Sequence, residues 1–211
     1  NASTKQGEDL TLRGNITDGT KVQFDRKTSN GRINVSWQVI EGPIDVQTGL
    51  NALGGTNNER IIDITDIDTT RAIPIVYASS SDNDVDETKL KAKFIESGGK
   101  LNVSNTISGR PSFTWFVIEF PSAFSVQHNN ISLIDTEVSD TLATEVNASN
   151  AWLYFNYDAD TNGLRQVSVM GELVNGTNIS FSKKGAQGDN NIEYYVIDMP
   201  AGVIVDNGTA N

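Results

Sequence analysis

One acidic segment has the residue types and spacing that metal binding requires. The run DADTNG places Asp158, Asp160 and Asn162 at alternating positions before a glycine. This pattern is typical of the opening of a calcium loop, where side-chain oxygens converge on a hard cation around a glycine turn. Position 12 of the loop would be Val169, so the bidentate glutamate that closes such a site is missing. The segment predicts either a calcium site or a solvated turn, because Asp, Asn and Gly also favour turns.

A second acidic cluster, with Asp82 and Asp84, lies at the matching position of the preceding part of the chain. The same two interpretations apply to it. We expect no cofactor other than this possible calcium.

Catalysis is not supported by the remaining polar residues. His128 is the only histidine of the chain and has no nucleophile near it in sequence, so a surface or turn histidine is the expected role. The acids Glu41, Glu119 and Asp198 recur at one position of an internal repeat, which favours an architectural role over a single active site. No nucleophile elbow or phosphate-binding loop is present in the sequence. We therefore expect a protein that is not an enzyme.

The chain contains nine Asn-X-Ser/Thr triplets, the acceptor signal for N-glycosylation. They begin at Asn1, Asn15, Asn34, Asn102, Asn130, Asn147, Asn175, Asn178 and Asn207. A chain rich in Asn, Ser and Thr also makes such triplets by chance. Asn34, Asn102 and Asn178 fall on the polar phase of predicted strands, where a bulky glycan fits. This placement favours an extracellular glycoprotein.

Three segments of the chain align with one another, at residues 19–41, 98–119 and 176–198. Their aromatic anchors, Trp37, Trp115 and Tyr194, are 78 and 79 residues apart, and we expect all three to be buried. Apolar and polar residues alternate within the segments, as in half-buried antiparallel strands, and turn residues separate two strands in each. We predict that each segment is a β-hairpin. The sequence thus predicts an all-β fold of tandem antiparallel β-sandwich-like repeats of about 78 residues.

Two predicted strands are apolar on both faces. In FTWFVIEF (residues 113–120) and IEYYVIDM (residues 192–199), both alternating sets of side chains are mostly hydrophobic. A strand of this kind needs cover on both sides. Either the region between successive hairpins or a neighbouring repeat or subunit supplies that cover.

The repeat divides the chain into a partial N-terminal repeat at 1–47, a second repeat at 48–126, and a third repeat with a C-terminal strand at 127–211. Neither end matches a complete repeat. We expect Val203, Ile204 and Val205 to form a strand donated to the next copy, so that subunits join head to tail. An excised segment of a longer tandem array is the alternative.

Composition narrows the choice of partners. The formal charge is 16 minus 27, or −11, which argues against nucleic acid and anionic membranes as partners. No apolar run approaches the roughly 20 residues that span a bilayer, so we expect no membrane insertion. Cysteine is absent, which excludes disulfides and thiolate metal sites.

The motifs WQVIEGPIDVQ and WFVIEFPSAFSVQ resemble repeat units of large microbial surface β-proteins. In architecture, a glycan-rich, cysteine-free β-protein with unmatched ends resembles the glycosylated β-sandwich subunits of archaeal extracellular threads and pili, which implies assembly by donor-strand complementation. Strands that end in Trp are similar to those of H-type lectin domains, which would imply sugar binding.

These features predict a structural subunit of an extracellular filament or cell-surface appendage, with copies of itself as partners. The alternative is a carbohydrate-binding or adhesion module, lectin-like or tail-fibre-like, with surface glycans as partners.

Overall fold

The computed structural model describes residues 12–18, 21–25, 43–54, 58–79, 85–107, 110–161 and 168–201. These residues form antiparallel β-strands joined by turns and short 3-10 segments, so the all-β prediction is confirmed. The described helices are single 3-10 turns, and none is long and apolar enough to cross a membrane.

The first complete unit consists of six strands. They are β3 (Asp45–Ala52), β4 (Glu59–Asp63), β5 (Ala72–Ser79), β6 (Lys91–Ile95), β7 (Lys100–Ser104) and β8 (Ser112–Glu119). They form two three-stranded sheets, with orders β3-β8-β5 and β4-β7-β6. Leu101, Val103, Phe113 and Trp115 from the two sheets meet in one buried cluster, as in a small β-sandwich.

The second unit repeats this arrangement with another six strands. They are β9 (Ser125–Leu133), β10 (Glu137–Thr141), β11 (Ala151–Ala159), β12 (Val169–Leu173), β13 (Asn178–Lys183) and β14 (Asn190–Asp198). Its sheets have orders β9-β14-β11 and β10-β13-β12, the same order by position within the unit as in the first. Ile179, Phe181, Ile192 and Tyr194 are central in its core. The sequence period of about 78 residues itself stays a prediction.

A hairpin precedes the two units. Strand β1 (Arg13–Asp18) pairs with β2 (Lys21–Asp25), with Gly14 opposite Phe24 and Ile16 opposite Val22. Strand β1 also contacts β5 and β8 of the first unit.

The predicted hairpins at 98–119 and 176–198 are wrong. Strand β7 lies in one sheet and β8 in the other, and β13 and β14 are separated in the same way. The reason is the apolar character of β8 and β14 on both faces, which suits the central position of a sheet. Each therefore pairs with the first and third strands of its unit, and the turn that precedes it crosses between sheets. Part of the segment at 19–41 lies outside the described residues.

The predicted boundaries after residues 47 and 126 fall inside β3 and β9. Both strands pair with the last strand of the unit that follows, β3 with β8 and β9 with β14. A first strand that pairs with the last one closes each unit through long-range contacts.

Candidate functional site at the junction of the two units

The outward face of sheet β9-β14-β11 is covered by the first unit. Val126, Tyr195 and Ile197 of this face are buried together with Ile73 of β5, which is fully enclosed. Phe94 of β6 adds an edge-on contact with the Tyr195 ring, at 6.4 Å between centroids. The neighbouring unit therefore supplies the second cover that the apolar strand β14 needs.

The junction also uses the backbone of β6, an edge strand of its sheet. The Ala92 N–H donates to Asn156 Oδ1 at 2.7 Å, and the Tyr195 hydroxyl donates to the Ala92 carbonyl at 3.1 Å. Ala92 is completely buried. An edge strand presents backbone groups that need partners once they leave water, and here two side chains of the next unit supply them.

Two ion pairs flank this backbone contact. Lys91 Nζ lies 3.5 Å from Asp158 Oδ2, and Lys93 Nζ lies 4.0 Å from Glu193 Oε1. Both carboxylates are almost fully buried, at 3% and 1% exposure. A buried charge is tolerated only with a partner, so these pairs fix which faces of the two units can meet. Lys91 and Lys93 are two residues apart on β6, whereas Asp158 lies on β11 and Glu193 on β14.

His128 also contacts Glu193, one of the two buried carboxylates of the junction. Its Nε2 lies 2.8 Å from Glu193 Oε2, and its ring stacks on Tyr195 with centroids 4.5 Å apart. His128, expected to be a surface or turn histidine, is an exposed residue of strand β9, and its side chain is about one third exposed.

Burial favours the neutral form of two tyrosines at the junction, and Tyr195 donates a hydrogen bond from its hydroxyl. Burial raises the pKa of Tyr195 well above its usual value, and the negative charge of Glu193 adds to the effect. Burial likewise raises the pKa of Tyr154, with a further contribution from Tyr77. The Tyr195 hydroxyl therefore keeps its proton, and its bond to Ala92, across the physiological pH range.

A cleft of about 300 Å³ opens between the units beside His128. Thr70, Ser97 and Gly98 line one side, and His128 and Tyr195 line the other. Ser97 and Gly98 have positive φ angles of 56° and 97°, and a side chain at Gly98 would place its Cβ 2.6 Å from a backbone oxygen. The tight left-handed turn thus shapes this side of the cleft.

The two predicted calcium residues that the structure describes, Asp158 and Asp160, bind other groups of the protein. Asp158 faces Lys91 and also accepts a bond from Asn191 Nδ2 at 2.9 Å, whereas Asp160 accepts from the backbone N–H of Asp189 at 2.6 Å. Within the described ranges, no three acidic or histidine side chains are placed to share a metal ion. Asn162, Asp82 and Asp84 lie outside the described residues. Calcium binding stays a prediction.

Two predicted glycosylation sites are accessible at the surface of the protein. Asn147 and Asn175 are exposed, and each amide oxygen accepts the hydroxyl of its own triplet, at 2.6 Å from Ser149 and 3.0 Å from Thr177. Asn130 is exposed on β9 and Asn15 is partly exposed on β1.

The amide nitrogens of two other acceptors are engaged. Asn102 Nδ2 donates to Glu59 across the sheet, and Asn178 Nδ2 donates to Asn175 and Thr177. Asn1, Asn34 and Asn207 lie outside the described residues.

Of the predicted anchors, Trp115 and Tyr194 are buried at 7% and 2% exposure. Trp115 Nε1 donates to Asn51 Oδ1 at 2.8 Å, and the Tyr194 hydroxyl donates to Asp140 Oδ2 at 2.7 Å. Trp37 and the predicted assembly residues Val203, Ile204 and Val205 lie outside the described residues.

Sequence reasoning missed the central residues of the junction. Asn156 and Glu193 are polar residues inside otherwise apolar strands, and Lys91 and Lys93 alternate on a short strand. A polar residue in a strand that needs cover on both faces is the signal that could have identified them, because such a residue must find a partner when it is buried.

Comparison with known protein families, with curated proteins and with solved structures finds no match.

Proposed function

We propose that the chain is a non-catalytic structural subunit of an extracellular filament or surface appendage, and that it acts by stacking β-sandwich units. The observation that carries this proposal is the junction itself. One unit offers the edge of its fourth strand, β6, and the next unit receives it on a sheet face with matched hydrogen bonds and charges.

Contacts with the third and sixth strands of a unit occur twice in the chain. Strand β1 contacts β5 and β8 as β6 contacts β11 and β14. A contact between two different surfaces that does not close into a ring propagates as a fibre. This supports growth in one direction with units added head to tail.

The next contact in this series would use the outer edge of β12, the fourth strand of the second unit. No described strand pairs with that edge, and Met170 and Val174 beside it are 71% and 55% exposed. We propose that a second copy of the chain docks there, by edge pairing or by the donated strand that contains Val203, Ile204 and Val205.

The exposed acceptors Asn147 and Asn175 support the extracellular part of the proposal, since a glycan needs an outward-facing amide. The mass of the native protein before and after deglycosylation tests it. A mass equal to that of the bare polypeptide would contradict an extracellular glycoprotein.

Electron microscopy of the purified chain tests assembly. We expect filaments from the unaltered protein and none from Met170→Asp, which places a charge on the proposed docking edge. Ile134→Asp is the control, because Ile134 is 60% exposed in the same unit away from β12. Particles that stay single at every concentration would contradict the proposal. Fibres that persist after deletion of residues 201–211 would exclude the C-terminal strand as the donor.

The sugar-binding alternative receives no support from the aromatic anchors. A stacking platform must face solvent, whereas Trp115 and Tyr194 are enclosed in the two cores.

A further inference from the structure

A lysine is buried at one end of the second unit. Lys183 follows Ile179 and Phe181 on the core-facing side of β13 and is 4% exposed. Its Nζ donates to the Leu133 carbonyl at 2.9 Å and to the Gly188 carbonyl. A buried lysine without a carboxylate bonded to it is costly in its charged form.

An unpartnered amide lies on the opposite sheet at the same end. Asn190 begins β14, two residues before the core residue Ile192, and is completely buried. Neither Oδ1 nor Nδ2 of its side chain has a hydrogen-bond partner among the described residues. Buried polar groups are nearly always paired, so this amide calls for an explanation.

The register of the sheet places Asn190 directly opposite the residue whose carbonyl binds the lysine. Leu133, whose carbonyl binds Lys183 Nζ, is the cross-strand partner of Asn190. Opposite residues of antiparallel strands have Cα atoms about 5 Å apart. The lysine therefore reaches across the sandwich to the strand pair that carries the amide.

The surroundings also favour an uncharged lysine. Burial lowers the pKa of Lys183, against the opposing influence of Asp189, Asp160 and Asp135 near the end of the unit. A neutral amine has two N–H donors and one lone pair. The Leu133 and Gly188 carbonyls accept two donors, which leaves the lone pair free to act as a nucleophile.

We propose that Lys183 and Asn190 form an intramolecular amide cross-link. The Nζ lone pair attacks Cγ of Asn190, a bond forms between Nζ and Cγ, and the bond from Cγ to Nδ2 breaks. The proton lost by Nζ passes to Nδ2, which leaves as ammonia. No oxidant or other co-reactant is needed, because the proton moves from the attacking nitrogen to the leaving one.

The cross-link ties β13 to β14 and thereby joins the two sheets of the second unit. In the first unit, the equivalent end of β7 is followed by Asn105, which donates to the backbone oxygen of Glu87. Among the described residues, the lysine and the amide occur together in the second unit, where the cross-link would resist separation of the sheets under tension.

Mass spectrometry tests the cross-link directly, on the full chain produced in a bacterial host that adds no N-glycans. We expect an intact mass lower than the sequence mass by one ammonia. Trypsin cuts after Arg165 and Lys184. We therefore expect peptides 166–184 and 185–211 to remain joined after digestion.

Lys183→Met and Asn190→Leu each remove one reactant and keep a similar side-chain volume. Both variants should show the full sequence mass and two separate peptides, and should melt at a lower temperature than the unaltered protein. An unaltered protein with the full sequence mass and separate peptides would overturn the proposal, whether or not the variants fold.

Discussion

Trp115 and Gly49 form one packing unit at the residue scale. The two residues are directly opposite on β8 and β3, and a Cβ at Gly49 would lie 2.7 to 2.8 Å from three atoms of the indole. A β-strand position without a side chain is therefore needed for Trp115 to lie where its Nε1 reaches Asn51. The sequence did not predict this contact, because Gly49 and Trp115 lie 66 positions apart (115 minus 49).

Gly49→Ala should destabilise the protein by ~1–3 kcal/mol, because the added methyl group displaces a buried indole. Denaturant unfolding followed by tryptophan fluorescence measures the loss. Gly54→Ala is the matched control, since no atom lies within 4 Å of a Cβ at that position. Equal stability of the two variants would contradict the proposed packing.

Three tyrosines with raised pKa values predict that alkali destabilises the protein. Burial raises the pKa of Tyr154, Tyr194 and Tyr195 above the usual value of 10.0, with Asp140 adding to the effect at Tyr194. Below pH 10 all three are neutral in both states, and their contribution to folding is fully present. As the pH rises above 10, the unfolded chain loses these protons while the folded chain keeps them, so stability falls.

Urea midpoints should therefore drop between pH 8 and pH 11, and the phenolate absorbance of these three residues should appear only on unfolding. A folded protein in which all five tyrosines titrate together near pH 10 would show that none of them is buried as described.

At the scale of elements, the edge of β6 carries the contact between units. Asn156→Leu leaves the buried Ala92 N–H without a partner and should cost ~1–3 kcal/mol, whereas Tyr195→Phe removes one bond and should cost ~0.5–1.5 kcal/mol. Because both side chains bind Ala92, the two losses should not be additive.

Calorimetry of the double variant should resolve two transitions, one for each unit. A single unchanged transition would mean that these bonds do not couple the units.

The strands themselves could be predicted from sequence, but their pairing could not. Alternation of apolar and polar residues identified β7 and β13, and continuous apolar runs identified β8 and β14. Turn residues between them suggested hairpins, yet turn chemistry limits only the direction of the chain over a few residues. The position of β8 between β3 and β5 depends on contacts more than 30 residues away, which local patterns do not encode.

The contact between the two units could likewise not be predicted from local sequence patterns. The need for a second cover over β14 followed from its sequence, and a neighbouring repeat was one of two possible sources. The identity of the cover depends on Ala92, Asn156 and Glu193, which are far apart in sequence and have no local pattern in common. Sequence analysis favoured Asn102 and Asn178 as acceptors because they fall on the polar phase of predicted strands, whereas only the fold reveals that their amide nitrogens are engaged.

At the scale of the whole molecule, two sandwich units stack edge to face, and the N-terminal hairpin contacts the first of them. The two carboxylates Asp158 and Glu193 match the two lysines of β6, so the charges specify which unit follows which. Strand β12 has Met170 and Glu172 in place of those lysines. We therefore expect the next unit in an assembly to present an apolar face with a cation opposite Glu172.

Hydrogen exchange at the Ala92 amide tests the stacking of the two units most directly, since this amide lies on the outer edge of β6 and its hydrogen-bond acceptor among the described residues belongs to the second unit. The account predicts that it exchanges orders of magnitude more slowly than a solvent-exposed edge amide, and that Asn156→Leu removes most of this protection. Exchange of the Ala92 amide at the rate of an unprotected edge in the unaltered protein would contradict the account.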